Sequence, residues 1–314
     1  MIHAPYKSGC EEQRQGRNYF DVVWFSSQEG YGCVASTDIP RYTLILEEEP
    51  LICGKEIDLA LECHRKGQLK CQKEDKVFLS EVCCLTEEQQ IKFWHMHDQH
   101  RHQYDNSKDL KRIWGIVHSN GIQNTNQDYQ HGLYFLTSKF NHSCSPNIGY
   151  EVSSDWGMRV WTSREIRKGE ALHLGYSDVV YHFPRKVRQE FLLEGFKFFC
   201  QCTVCGLSNS TIEESDRRRL HLKELAIRLR DCLGIDFLYN PVFCMEVKRI
   251  SSLKKNNNPT SHEKVSNEVN SKSSSPQRRK TRNKRRRATD AVIPEKKDLE
   301  NLVEYIQLLE DETA

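Results

Sequence analysis

Cys200-Gln201-Cys202-Thr203-Val204-Cys205 places three thiols within six residues. A segment that short can turn three sulfurs toward one point, and a zinc ion takes four soft ligands at tetrahedral corners. Three ligands from one loop and a fourth from a distant segment would pin that loop to the rest of the chain, so metal binding would contribute to folding. A redox Cys-x-x-Cys is the competing reading, although no βαβ context surrounds it. The second chemical stretch is Asn141-His142-Ser143-Cys144-Ser145-Pro146-Asn147. Its amide, imidazole, hydroxyl and thiol groups follow soon after the apolar Tyr134-Phe135-Leu136, where they are costly unless each finds a partner. A plain turn would account for Ser-Pro-Asn but not for the residues before it.

These groups need elements to hold them. Near the N-terminus Phe20–Ser26 and Cys33–Ser36 read as strands flanking Gly30-Tyr31-Gly32, and Thr43–Glu47 follows a turn at Pro40. Thr86 and Gln89 form a capping box that opens a helix running to about Gln103. Ser107 precedes a second helix with Leu110, Ile113, Trp114 and Val117 on one face and Asn120-Gly121 as its stop. From Gly132 to Leu174 short apolar strands alternate with turn signals. Ser215 to Leu233 reads as a helix with Leu222, Leu225, Ile227 and Leu229 partly buried and Gly234 as its C-cap. Leu299, Leu302, Val303, Ile306 and Leu309 make one stripe on a helix that starts near Pro294 and docks on the body or on a partner helix.

The fold class these signals predict is α+β: an irregular β-rich domain over 1–205, with a helical insertion at about 51–119 and the cysteine loop at 196–205. A helical extension at 206–250, a basic linker at 251–293 and an amphipathic helix at 294–314 follow it. No internal repeat, phosphate-cradling Gly-rich loop or Ser-centred nucleophile elbow is present. The chain has 13 cysteines, no apolar run longer than four residues, and an opening Met1-Ile2-His3-Ala4-Pro5 without the pattern of a secretory signal. Reduced thiols and no membrane span are therefore expected. A monomer located in the nucleus, the cytoplasm or both is a separate expectation. Besides Cys144 and the loop, Cys10, Cys33, Cys53, Cys63, Cys71, Cys83, Cys84, Cys232 and Cys244 show no comparable spacing.

The formal net charge of +2 hides a split. Residues 251–290 carry twelve Lys or Arg against three Asp or Glu, a local +9 that leaves −7 on the remainder. This segment holds four apolar side chains, too few to offset chain entropy, so it is expected to be disordered. Within it, residues 278–287 place eight positive charges in ten positions: a nuclear-import signal, a nucleic-acid-contacting arm, or a solvated linker without a partner.

Together these pieces resemble the SET-domain protein methyltransferases. Gly30-Tyr31-Gly32 is similar to that family's N-terminal Gly-x-Gly turn, and Asn141 to Asn147 matches its hallmark Asn-His-Ser-Cys-x-Pro-Asn. Ile166-Arg167-Lys168-Gly169-Glu170-Ala171-Leu172 with Gly175-Tyr176-Ser177-Asp178 resembles its Lys-Gly-Glu-Glu-Leu and catalytic-tyrosine stretch, with Ala171 where a Glu is usual. Phe198 to Cys205 is similar to the post-SET cysteine loop, which brings the region of resemblance to roughly 20–205. The style is that of the SMYD branch, but Cys53, Cys63, Cys71, Cys83 and Cys84 do not follow the spacing of its MYND zinc finger. His95, His97, His100 and His102 lie in the insertion, either as a polar helix face or as ligands of a second metal.

The resemblance implies methyl transfer from S-adenosylmethionine to a lysine of a histone or another protein. It assigns catalysis to Tyr176, with Tyr181 as the alternative. Cofactor contacts carry over to Gly30, Tyr31, Gly32, Asn141, His142, Tyr176 and Phe198, and to Asn124; Phe198 as plain core and Asn124 as a turn cap are the plainer readings. The resemblance makes Cys144 the fourth zinc ligand beside Cys200, Cys202 and Cys205. A non-catalytic SET-type scaffold at chromatin is the alternative function, and nucleic-acid binding through 278–287 a third.

Overall fold

A computed structural model describes residues 19–26, 29–54, 57, 82–99, 109–124, 130–177, 179–233 and 296–313. The basic run 278–287, His100, His102, Ser107, Gly234 and Pro294 lie outside them. In chain order the elements are β1 (Phe20–Ser26), β2 (Gly30–Ala35), β3 (Leu44–Glu48), β4 (Ile52–Gly54), α1 (Glu87–Trp94), α2 (Asp109–Asn120), β5 (Ile122–Asn124), β6 (Gln130–Leu133) and a 3-10 turn (Thr137–Lys139). There follow β7 (Asn141–His142), β8 (Ile148–Val152), β9 (Met158–Thr162), β10 (Ala171–Leu174), α3 (Val179–His182), α4 (Arg185–Phe196), α5 (Asn209–Leu233) and α6 (Lys296–Thr313).

Three small sheets carry the β-rich part, ordered β1-β2-β10-β7, β3-β9-β8 and β4-β6-β5. All pairings are antiparallel except β10 with β7, which joins His173 to Asn141 and Leu174 to His142. That parallel contact sets the hallmark asparagine and histidine beside the strand that leads into Tyr176. The main core lies between the first two sheets, where Phe20, Cys33, Ile45, Leu46, Phe140, Val160 and Leu172 are buried together. A second core, with Ile52, Val82, Phe93, Ile113, Trp114 and Val117, sits under the helical insertion against Leu133 and Phe135. No helix among the described residues is long and apolar enough to cross a membrane.

Several sequence expectations are refined. Gly30-Tyr31-Gly32 is not a turn between strands; it begins β2, with Tyr31 opposite Trp24 and Gly32 opposite Val23. The capping box of Thr86 and Gln89 forms as expected, but the helix it opens ends at Trp94 instead of near Gln103. Tertiary contacts capture the chain there: Lys139 Nζ donates to the His95 carbonyl at 3.0 Å, and the Gln99 amide donates to Ser119 Oγ at 3.0 Å. Helix α5 starts at Asn209, six residues before the expected Ser215, because the Ser208 carbonyl accepts the Ile212 amide and begins the turn. Leu222, Leu225 and Leu229 are buried on it, whereas Ile227 is 38% exposed.

On α6 the face that meets α5 is Leu302, Tyr305 and Ile306, while Val303 is 62% exposed. Tyr305 displaces Val303 from this face because its hydroxyl reaches His182 Nε2 at 3.1 Å and its ring stacks on that imidazole. The C-terminal helix therefore docks on the body, one of the two outcomes its stripe allows.

Candidate functional site

The sulfur atoms of Cys144, Cys200, Cys202 and Cys205 lie within 4.8 Å of one another. Cys144 Sγ is 3.9 Å from Cys200 Sγ and 3.6 Å from Cys205 Sγ. A tetrahedral zinc ion with Zn–S bonds of about 2.3 Å spaces its sulfurs about 3.8 Å apart. Donor chemistry and spacing both fit zinc, and among the described residues no other His, Cys, Asp or Glu group is arranged as a metal site. The thiols contend for protons: hydrogen bonding among them drives Cys144 above the ordinary thiol range and holds Cys202 well below it. A group already inclined to the thiolate is the form a metal requires.

Two elements bring the cluster together. Cys144 follows β7, and the loop with the other three follows α4, where Gln189 clamps it: Nε2 donates to the Cys200 carbonyl at 2.6 Å and Oε1 accepts the Cys200 amide at 2.9 Å. Between helix and loop, Lys197 adopts a left-handed conformation with φ of 62°. This reversal aims both neighbouring phenylalanines inward. Phe196 lies 5.1 Å and Phe198 6.4 Å from the Tyr176 ring, centroid to centroid.

His142 ties the cluster to Tyr176. Its Nδ1 accepts the Tyr176 amide at 3.2 Å, and its Nε2 stands 3.4 Å from Cys144 Sγ. Burial lowers the imidazole pKa to about 3, so the ring is neutral. With Nδ1 as acceptor the single proton sits on Nε2, directed at the Cys144 sulfur. The rings of His142 and Tyr176 are 5.2 Å apart, and those of His142 and Phe198 are 5.7 Å apart. Tyr176 donates its hydroxyl proton to the Phe140 carbonyl at 3.0 Å, and burial pushes its pKa above the ordinary phenol value.

These groups open on one cleft of about 2750 Å³. Gly30, Tyr31, Asn141, His142, Tyr176, Tyr181 and Phe198 all line it, together with Cys200 and Cys202. Asn141 Nδ2 is buried there and has no hydrogen-bond partner. A buried donor beside a cleft, left without an acceptor, is costly unless a ligand supplies one. Gly32 lies just beneath: a Cβ on it would run into the Phe25 ring and come within 2.8 Å of Asn141 Nδ2. Asn124 does not join this group. Fully buried on β5, it donates from Nδ2 to the Ser153 carbonyl at 3.0 Å and is not among the lining residues.

Sequence reasoning missed Phe25, which covers Gly32, and Phe196, which walls Tyr176. It also missed Arg188 and Arg219, both fully buried beside the thiols. Phe196, two residues before Phe198, was open to the same reasoning; an arginine in a polar helix gives no signal of burial.

A family model described as SET domain matches residues 30–177. The chain carries a SET domain. Its relatives include the histone-lysine N-methyltransferase set5 of Schizosaccharomyces pombe, 28% identical over 200 residues, or 62% of this chain and 53% of that protein. A SET and MYND domain-containing protein of Dictyostelium discoideum is 36% identical over 80 residues, 25% of this chain and 15% of its own. The N-lysine methyltransferase SMYD2 of Gallus gallus is 26% identical over 134 residues, 42% of this chain and 29% of its own. The chain thus spans about half of the first of these proteins and less of the others. The SET domain comprises the hallmark strand β7, the Gly-x-Gly segment and Tyr176, and the cysteine loop lies immediately beyond its matched end.

Proposed function

We propose that this protein is a protein-lysine N-methyltransferase that uses S-adenosylmethionine and a structural zinc ion, acting on a histone or another protein in the nucleus or cytoplasm. The observation that carries the reading is the meeting, along one cleft, of Asn141, whose buried Nδ2 lacks a partner, with the rings of His142, Tyr176 and Phe198. When bound, S-adenosylmethionine supplies a methyl group on a sulfonium centre. Asn141 Nδ2 would meet an acceptor at the amino-acid end of the cofactor, and the main chain of Gly30 and Tyr31 would approach it closely. Gly30 suits that role: its φ is +71°, and open space lies where a side chain would project. His142 and Phe198 would flank the adenine. Zinc would be held by Cys144, Cys200, Cys202 and Cys205, fixing Phe198 over the cleft.

An unperturbed lysine has a pKa of about 10.4, so its ammonium must release a proton to bulk water before the amine can attack. A wall of Tyr176, Phe196 and Phe198 excludes water and disfavours the charged amine, while ring faces attract the cation as it arrives. Amine, methyl carbon and sulfur must then stand in line, which is catalysis by positioning.

Calorimetry with S-adenosylmethionine tests the reading on zinc-loaded protein. Binding within the usual range of enzyme–substrate affinities, about 1 μM to 1 mM, is expected. No detectable heat or protection against thermal unfolding would sink the enzyme reading. If binding is seen, labelled cofactor with core histones and a peptide array identifies the acceptor.

Gly32→Ala offers a sharper check. Its methyl group must displace Phe25 and crowd Asn141, an overpacking that costs about 1–3 kcal/mol. Cofactor affinity should fall by about tenfold, a change of about 1.4 kcal/mol, alongside a lower melting temperature. Unchanged affinity in that variant would remove the Gly32–Asn141 wall from the cofactor site.

A further inference from the structure

Beside Cys144 lies a buried charge network whose members, Arg219, Ser215 and Glu312, do not line the cleft. Arg219 on α5 is fully buried, and all its polar atoms are engaged. Nη1 donates to the Val180 carbonyl, Nη2 to the Cys144 carbonyl at 3.0 Å, and Nε to Ser215 Oγ at 3.3 Å. Its counter-charge comes from the far end of the chain: Glu312 on α6 places Oε2 3.0 Å from Arg219 Nη2. The same carboxylate accepts Ser215 Oγ at 2.6 Å and a bond from Arg218 Nε. Glu312 is 5% exposed.

The chemistry of the cluster gives this arrangement a purpose. Four thiolates around a divalent ion sum to −2, and a buried excess of that kind needs positive charge close by. Arg188 stands 3.9 Å from Cys205 Sγ, and Arg219 grips the backbone at Cys144. Three ligands share one loop; Cys144, 56 residues earlier than Cys200, must be anchored separately. Without Glu312 the guanidinium would lose the carboxylate that orients it directly and through Ser215, so the geometry of its grip on Cys144 depends on α6.

We propose that Arg219 and Glu312 are positioning residues of the metal centre: α6 delivers Glu312 to fix Arg219, and Arg219 fixes the Cys144 corner of the cluster. The C-terminal helix is thereby part of the metal site although it contributes no ligand. The inference rests on the zinc reading given above.

The test measures zinc release from the full-length chain into a chromogenic chelator, with the sulfur-to-cobalt charge-transfer band of the cobalt-substituted protein as a second readout. Glu312→Gln and Arg219→Lys should release zinc about 10–100-fold faster than the parent, the usual effect of losing an outer partner of a metal ligand. Both should alter the cobalt band. Ser215→Ala, a milder change that removes the hydroxyl between the two charges, should move release in the same direction by about threefold, so the proposal stays testable if the charge variants fail to fold. Tyr305→Phe loosens the same helix by deleting its bond to His182 and should leave release within about twofold of the parent. Release in the three network variants that equals the parent, or equals Tyr305→Phe, overturns the proposal while leaving the zinc reading intact. A parent that holds no zinc overturns both.

Discussion

Replacing Cys202 with serine is expected to take the zinc content from about one ion per chain to nearly none, because a structural site needs all four corners. The serine hydroxyl is a poor substitute: it is neutral at working pH, whereas Cys202 is the thiol most inclined to ionise in the cluster. The damage should spread along defined contacts. The 200–205 loop is held by Gln189 on one side and would be held by the metal on the other. With the metal gone, Phe198 loses the anchor that keeps it against His142 and Tyr176.

Structural zinc contributes about 10–16 kcal/mol of apparent binding energy in small zinc peptides, so even a fraction of that lost here should cost several kcal/mol. At about 2–4 °C per kcal/mol for a domain of this size, a fall of roughly 10 °C in melting temperature is expected, together with loss of cofactor binding. Cys83, exposed and outside the cluster, is the control: Cys83→Ser should change none of these. Metal analysis that finds the same zinc in Cys202→Ser as in the parent would contradict the four-thiolate centre.

What the sequence disclosed and what it hid divide by range of interaction. Spacing alone marks the cysteine loop, because three ligands in six residues need no knowledge of the rest of the fold. The Thr86–Gln89 capping box is equally local, and the structure forms both of its hydrogen bonds. The end of that helix is not local. It stops where Lys139 and Ser119, distant in sequence, take hold of the chain, and no pattern between 86 and 103 records them. The apolar stripe on α6 is right about docking but wrong about Val303, since hydrophobicity ranks valine above a tyrosine whose hydroxyl finds His182.

Buried arginines are the deepest omission. Composition assigns Arg188 and Arg219 to a solvated helix face; inside the fold they meet the carboxylates of Asp216 and Glu312, and Glu312 comes from a helix distant in sequence. For the site itself, the resemblance to a family supplied what periodicity could not. It joined Cys144 to a loop 56 residues away, and the structure brings the four sulfurs within 4.8 Å of one another. Asn124 shows the limit of such carry-over, for here that side chain is already engaged by Ser153.

Tyr176→Phe should lower kcat by about 10²–10³-fold, the range found when one preorganised polar group is removed from a transition-state contact. The argument starts from where the phenolic proton is. Tyr176 donates it to the Phe140 carbonyl at 3.0 Å, and burial raises the pKa, so the group remains a neutral phenol. Its oxygen lone pairs are then free to accept an N–H of the substrate amine, and that bond fixes where the amine lone pair points. Phe196, His142 and Phe198 hold the ring itself from three directions, so removing the oxygen should leave the aromatic wall standing. Cofactor affinity and KM are accordingly expected to stay within about threefold of the parent, since the lost contact belongs to the transition state.

A purely structural tyrosine makes a different prediction. Losing its bond to Phe140 would cost stability of about 1–3 kcal/mol with little effect on turnover of the folded fraction. Measuring kcat, KM and melting temperature on one preparation separates the two. Tyr181, which also lines the cleft, is the comparison: Tyr181→Phe should retain activity within about fivefold, well short of the loss expected for a group at the reacting atoms. Full turnover in Tyr176→Phe with a large loss in Tyr181→Phe would move the catalytic role to Tyr181.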